Sequence, residues 1–399
     1  MEKTIGRYQI NYLLHQMILY TTMICLIFSS KDTRISSHNP KWMYINMLIT
    51  IGFLGLKMLY KKSINRQQLI IISVLFVLIY GSMIANFDIA GFSMFVILLI
   101  ALSIEETFEF NEFYEKLENI IFVFTLVSLA GTALWIGGLN GSIVVLKLVY
   151  IVENDAVPWG FRLYGIFREP AMYCIYLGLA LARCLLISEN TNYFKVLIYL
   201  TTIFLTGSTT GYIATAFIMV IYLWKRKVNF LWYIVYAGVM IIVLKWALNN
   251  GIVDYFLEKL ATTGANAASS NSRYYSIICG ALVGLQYPLF GAGARRSEAA
   301  FNSMVGYFTK EYYCWANMVT YLWASFGCLF IYIFLRGIGS ALPNKKKIVS
   351  VCWLTYIMLL LCGETMTYSS IMYIFMLYGF KRVPFGKLKI KLTGIRRGI

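Results

Sequence analysis

Charge is scarce in this chain. Only 13% of its 399 residues are Asp, Glu, Lys or Arg, where a soluble domain carries about 25%. No polar stretch is long enough to bury a core of its own, which argues against any soluble domain. Histidine is scarcer still. His15 and His38 are the whole complement, too few and too far apart for a His-rich metal site. The eight cysteines form no CxxC pair and lie mostly inside apolar runs. They read as small buried hydrophobes rather than a disulfide or zinc framework. The opening MEKTIGRYQINYLLHQ lacks a small-residue cleavage site, so the first apolar segment is expected to be retained. What abounds is apolar surface: 59% of residues are hydrophobic, 17% aromatic, and the mean hydropathy is +0.68. The chain reads as an all-α, polytopic integral membrane protein.

A bilayer core about 30 Å thick takes roughly 20 apolar residues per helix, and about twelve candidate spans can be marked. They centre on residues 12–30, 42–60, 67–86, 89–104, 119–136, 170–188, 194–207, 209–224, 229–248, 313–335, 348–362 and 366–380. The span at 194–207 and the last two are short, and no repeat relates the two halves. The Lys/Arg asymmetry sets the orientation. With the N-terminus inside, the larger share of the 35 Lys and Arg falls on inner segments, among them KRK at 225–227 and KKK at 345–347. Both termini are therefore expected in the cytoplasm, with residues 1–399 forming one transmembrane domain in the cytoplasmic (inner) membrane. The net charge of +17 is largely this topological signal, plus attraction of the tail KLKIKLTGIRRGI to anionic membrane lipid. The basic residues are scattered over short loops, so no nucleic-acid partner is expected. FEFNEFYEKLENI at 108–120 reads as an acidic amphipathic helix on the cytoplasmic surface, leading into the next span or contacting a partner.

This topology leaves two long loops on the outer face, at 137–169 and 249–312, and loops held by a rigid scaffold are where function concentrates. The first ends in RLYGIFREP, residues 162–170. Pro170 suits the first turn of a helix, and that helix then turns the positive end of its dipole toward the outer interface. Arg162, Arg168 and the dipole together favour an anion there, and Arg grips phosphate oxygens bidentately where Lys cannot. The alternative is that these arginines anchor the helix end in lipid headgroups. In the second loop, ATTGANAASSNS is small, polar and expected to be mobile. Ser272 is placed to cap a short helix beginning at Arg273 and ending near Tyr287-Pro288. The GAGARR turn that follows holds Gly291 and Gly293 where a tight backbone turn beside Arg295 and Arg296 is needed. An ordinary solvated loop is the alternative there.

Four segments carry a resemblance. RLYGIFREP is similar to the R-x-x-G-x-F-x-x-P signature of bacterial O-antigen and capsular polysaccharide polymerases of the Wzy type, which share a superfamily with O-antigen ligases. LTGSTTGYIATAFIMVI at 205–221 resembles the next element of that family, a Ser/Thr-rich turn between spans. NSRYYSIICGALVGLQYPLFGAG resembles the Arg-helix-Pro-x-x-Gly-x-Gly part of its large outer loop. CWANMVTYLWASFG at 314–327 resembles the segment opening the next span, with Asn317 at the Asn position. The four run in order from about 160 to 330. The ligases look for a histidine in the large outer loop. No histidine follows His38 and Ala316 precedes Asn317, which favours polymerase over ligase.

The resemblance implies a reaction between two undecaprenyl-diphosphate-linked oligosaccharides at the outer face, with flippase and chain-length regulator proteins as partners. Two tasks follow. The departing diphosphate needs its developing charge stabilised, which suits arginines beside low-dielectric walls. The acceptor hydroxyl needs a base, which a carboxylate or Tyr can supply. No Asp cluster at metal-binding spacing lies in the outer loops, so no metal and no cofactor is expected. Arg168 and Arg273 are the first choices as diphosphate ligands, with Arg162, Arg295 and Arg296 next. Glu169 is the first choice as base, with pairing to Arg168 or capping of the helix start as its structural alternative. Asp254, Glu258, Glu298 and Glu311 are weaker candidates. Asn317 and Ser208-Thr209-Thr210 could position sugar or phosphate oxygens, and Trp159, Tyr164, Tyr274 and Tyr275 could stack on a sugar ring. A flippase would instead carry charges within its spans, facing a central cavity; Lys245 and Glu364, near span ends, come closest to that pattern.

Overall fold

A computed structural model describes residues 2–30, 32–60, 65–88, 91–138, 149–154, 157, 159–226, 267–311, 313–342 and 347–382, together with the single positions 234, 238, 245 and 249. Among these residues the protein is mostly helical, with one two-stranded sheet. In chain order the elements are α1 (Glu2–Phe28), α2 (Arg34–His38), α3 (Pro40–Tyr60), α4 (Arg66–Asn86), α5 (Phe92–Thr107) and α6 (Phe110–Ile136). The hairpin β1 (Tyr150–Glu153) and β2 (Phe161–Gly165) follows, then α7 (Pro170–Ala182), a π-helical turn (Arg183–Ile187), α8 (Tyr193–Thr206) and α9 (Thr209–Lys225). The rest comprises α10 (Ala267–Gln286), α11 (Ala294–Gly306), α12 (Met318–Phe326), α13 (Cys328–Gly339), α14 (Lys347–Leu361) and α15 (Ser370–Arg382).

Among the described residues, three helical segments, Arg66–Asn86, Phe110–Ile136 and Pro170–Ile187, are long and apolar enough to cross a membrane, and five shorter apolar helices accompany them. Burial separates the three. The Pro170–Ile187 segment is 89% buried within the protein, against 39% and 33% for the other two, so α7 is the central post and α4 and α6 turn a face outward. Its sequence PAMYCIYLGLALA carries no charge and has small residues where neighbours press close. The phenol groups of Tyr114 and Tyr356 donate to the carbonyls of Leu179 and Gly178 at 2.6 and 2.9 Å. Such bonds matter more where no water competes for a buried carbonyl. The second central helix is α15, buried at every residue from Ser370 to Phe380.

The hairpin fixes the approach to the N-terminus of α7. In β2, Phe161, Leu163 and Gly165 point inward while Arg162 and Tyr164 stay half-buried, the two-residue alternation of a strand with one covered face. Residues 32–34 lie along its exit: Thr33 bridges Phe167, Arg34 N–H donates to the Ile166 carbonyl, and Arg168 N–H donates to the Asp32 carbonyl at 2.9 Å.

From Ala267 to Glu311 the second loop is a docked helical pair; its earlier part, 250–266, lies outside the described residues. The turn from Pro288 to Gly293 lies against the break between α12 and α13, with Ala292 N–H donating to the Ala324 carbonyl and Cys328 N–H to the Pro288 carbonyl. Gly291 and Gly327 both have positive φ, 69° and 87°, and a β-carbon on either would collide with the facing backbone. This is the tight turn the glycines of GAGARR announced.

Three boundaries differ from expectation. The helix expected from Arg273 begins at Ala267. Ser272 sits inside it and donates to the Cys314 carbonyl at 2.5 Å, so docking onto the irregular segment 313–317 carries helix through small polar residues of low propensity. The span expected at 366–380 becomes helical only at Ser370, after a turn closed by Ser369 N–H on the Met366 carbonyl. The helix of the span expected at 119–136 begins earlier, at Phe110: the acidic stretch at 108–120 leads into it, as one of its two readings had it, and α6 runs unbroken to Ile136. All of the expected span at 229–248 but positions 234, 238 and 245, and most of the first loop before Val149, lie outside the described residues.

Candidate functional site

The N-terminal end of α7 gathers charge from three separate stretches of chain. Pro170 occupies the first helical turn and Glu169 the N-cap position, where its side chain makes no capping bond. Arg168, 41% exposed at its side chain, reaches the turn between α14 and α15, with its Nη2 at 3.9 Å from Oε2 of Glu364. That separation is at the outer limit of an ion pair. Arg168, Glu169, Glu298, Asn302, Trp315 and Glu364 line one cavity of about 400 Å³. Glu364 is mostly buried there, and burial first, then the neighbouring charge of Glu169, pushes its carboxyl up to about 7, against the opposing pull of Arg168 and Arg273. Arg168, Glu169 and Glu364 therefore act on one another within a partly desolvated pocket, and the charge of Arg273, which lines a different cavity, also acts on Glu364, an arrangement typical of sites that move protons.

Arg273 enters from the second loop, two turns into α10. Its Nη1 donates to Oγ1 of Thr209 at 3.5 Å. Thr209 opens α9, and Ser208, buried, caps that helix by accepting from the Gly211 N–H. The same turn is gripped from its other side by Arg162, whose Nε and Nη2 donate to the carbonyls of Thr206 and Gly207 at 3.1 and 3.4 Å. Arg162 therefore braces the end of α8, and the LTGSTTG turn links it to Arg273. An apolar groove of about 210 Å³ runs from Arg273, Thr209 and Thr210 along Ile213, Ile277 and Leu359. A guanidinium and two threonine hydroxyls thus share this groove with apolar side chains.

Asn317 is buried and caps α12, accepting from Thr320 N–H at 3.0 Å while its Nδ2 donates to the Cys362 sulfur, two residues from Glu364. It joins the start of α12 to the turn that carries Glu364. Arg295 and Arg296 are exposed and do not share the cavity of Arg168; they line a larger one of about 660 Å³ that meets it at Glu298 and Asn302. Among the aromatic candidates, Tyr274 is 55% exposed and meets Tyr275 edge to face, Tyr275 stacks on Tyr313, Trp159 packs on Phe204, and Tyr164 sits against Tyr150. Glu311 accepts from the hydroxyl of Tyr313. Asp254 and Glu258 lie outside the described residues.

Sequence reasoning had set Glu364 aside as a charge near a span end. Its signal was available: a lone carboxylate in the apolar stretch MLLLCGETMTYSSIMYIF is costly unless used. Trp315 was also missed. It stacks on Phe301 at 4.4 Å, with Nε1 donating to Thr320, and so forms one wall of the cavity. Asp32 is a third: buried, it accepts from the Tyr176 hydroxyl at 2.7 Å, and desolvation raises its carboxyl above the usual range.

Residues 194–335 match the family model described as O-antigen ligase, which supports membership of the O-antigen ligase/polymerase superfamily. The matched stretch contains Ser208, Arg273, Arg295, Arg296 and Asn317; Arg168, Glu169 and Glu364 lie outside it. The family covers ligase- and polymerase-like enzymes of glycan biosynthesis alike. No curated protein and no solved structure matches the chain.

Proposed function

We propose that this member of the O-antigen ligase/polymerase superfamily is a polysaccharide polymerase of the cytoplasmic membrane, working at its outer face. The substrates are two undecaprenyl-diphosphate-linked oligosaccharides. The acceptor's sugar hydroxyl oxygen attacks the anomeric carbon that joins the growing chain to its diphosphate. The new C–O bond forms as the old one breaks, and the bonding pair leaves with the lipid diphosphate. Arg168 and Arg273 take up the charge that develops on it, a role in which preorganised donors outperform water. The hydroxyl's proton passes to Glu364, which sits beside Glu169 and whose carboxyl, raised to about 7, matches what a base needs. The apolar groove below Arg273 would take the first part of the lipid tail. No metal enters this scheme.

The observation that carries the reading is Arg168 beside Glu364 and Glu169 in one cavity, with Arg273, from a different loop, near enough for its charge to act on Glu364. The absence of any histidine after His38 favours polymerase over ligase. The test is a ladder assay. Purified protein in liposomes is given lipid-linked repeat units from its host, with EDTA and without nucleotide sugar. A ladder of longer lipid-linked glycans, lost in Arg168→Ala and Arg273→Ala, is expected. No ladder, with the lipid-linked unit crossing the bilayer, would mean a flippase.

A further inference from the structure

The larger cavity, about 660 Å³, has no part in the transfer step described above. It lies where the end of α4 meets the start of α11, and Asn86, Phe87, Arg295, Arg296, Glu298 and Asn302 line it. Glu298 and Asn302 also line the reaction cavity, so the two cavities adjoin and share these two side chains.

Phe87 is the unusual member. It ends α4 in the left-handed conformation, φ 51° and ψ 41°, and is the one non-glycine residue with positive φ among the described residues. A bulky side chain is rarely found there. Its ring is 96% exposed, so packing does not account for it. The frame around it is firmly built. The Asp88 carboxylate accepts from Arg295 N–H at 2.6 Å, and Asn86 Nδ2 donates to the carbonyls of Ser82 and Gly291. These bonds tie the α4 turn to the start of α11 and leave Asn86 Oδ1 as that side chain's acceptor. The wall thus offers one aromatic face, two guanidiniums, the carboxylates of Asp88 and Glu298, and two amides. Sugars need this mixture. Their C–H faces lie against an aromatic ring, and their paired hydroxyls are matched by planar, bidentate groups. The volume also falls in the ~300–1,000 Å³ range of small-ligand sites.

We infer that this cavity is an oligosaccharide subsite, which holds the sugars next to the reacting one, with Phe87 as the stacking platform and Arg295 and Arg296 as hydroxyl or carboxylate partners. The inference rests on the polymerase reading for the identity of its ligand, but its binding can be tested separately.

The probe is the free repeat-unit oligosaccharide, released from its lipid, added to the full-length protein in detergent and read by saturation-transfer NMR. Wild type is expected to bind it. Phe87→Gly, which removes the ring and relaxes the φ constraint, is expected to weaken binding by roughly tenfold, the scale of one lost aromatic contact. Phe87→Tyr is expected to keep binding, and Arg296→Ala to weaken it. In the ladder assay, Phe87→Gly should slow elongation of the full repeat unit while leaving a lipid-linked single sugar as good or poor an acceptor as in wild type. Equal binding by wild type, Phe87→Gly and Arg296→Ala would overturn the subsite even if wild type makes a ladder. Binding that Phe87→Gly abolishes would support the subsite even if no ladder appears, in which case the polymerase reading alone would fail.

Discussion

The two ends of α7 handle charge in opposite ways. At its C-terminal end Glu118, 1% exposed at its side chain, is held by Arg183 at 3.2 Å and Lys195 at 3.0 Å, and accepts from the Tyr199 hydroxyl at 2.7 Å. Every strong donor there is committed. At the N-terminal end Arg168 stands 3.9 Å from Glu364, Glu169 caps nothing with its side chain, and a cavity of about 400 Å³ separates the walls. A buried carboxylate saturated with donors stabilises a fold. Carboxylates and guanidiniums held near one another but loosely paired keep their capacity to bind something else. The proposed function takes one end as scaffold and the other as site.

Substitutions should therefore separate activity from stability according to the end they touch. The largest effect is expected from Arg168→Ala or Arg273→Ala. Each should lower the polymerisation rate about 10²–10³-fold, the usual effect of removing one charge-stabilising donor, while the melting temperature in detergent stays near that of wild type. Glu118→Ala should do the reverse. Leaving Arg183 and Lys195 without their buried partner should cost about 3 kcal/mol, read as a lower melting midpoint, with near-normal turnover per folded molecule. A fall in turnover without loss of stability would erase the comparison.

pH sharpens it further. A base must be unprotonated to accept the hydroxyl's proton, and the Glu364 carboxyl sits at about 7. The rate should rise with pH through about 7, and the residual rate of Glu364→Gln should lose that inflection. Stability moves the other way at this group. Its raised value favours the folded form below the ordinary carboxylate pKa, and that contribution fades as pH rises through about 7. The smallest effect is expected at the scaffold end from Glu115→Gln. Glu115 is half exposed and meets Arg183 at 3.2 Å, and a surface pair of this kind contributes about 0–1 kcal/mol.

Much of the helical layout was legible in the chain. The spans expected at 170–188, 194–207 and 209–224 appear as Pro170–Ile187, Tyr193–Thr206 and Thr209–Lys225, because Pro170, Gly207 and Ser208 are strong local punctuation. Arg168, Glu169 and Arg273 were legible as candidates because charge is rare in so apolar a chain. Their convergence was not, since Arg168 and Glu364 lie almost 200 residues apart and hydropathy carries no record of which loops meet. Arg162 shows the same limit from the other side. Its sequence neighbours suggested an anion site, whereas its guanidinium donates to the carbonyls of Thr206 and Gly207. Asn317 and Ser208 likewise serve as helix caps, a use that spacing alone could not separate from substrate binding.

The most direct test of the central claim, that Arg168 and Arg273 form one diphosphate site, is a double-mutant cycle on the polymerisation rate. Residues that act as a unit lose most of their function when either is removed. The account predicts that Arg168→Ala/Arg273→Ala is within about tenfold of the worse single variant. A double variant whose loss equals the product of the two single losses would place the two arginines at independent sites and contradict the account.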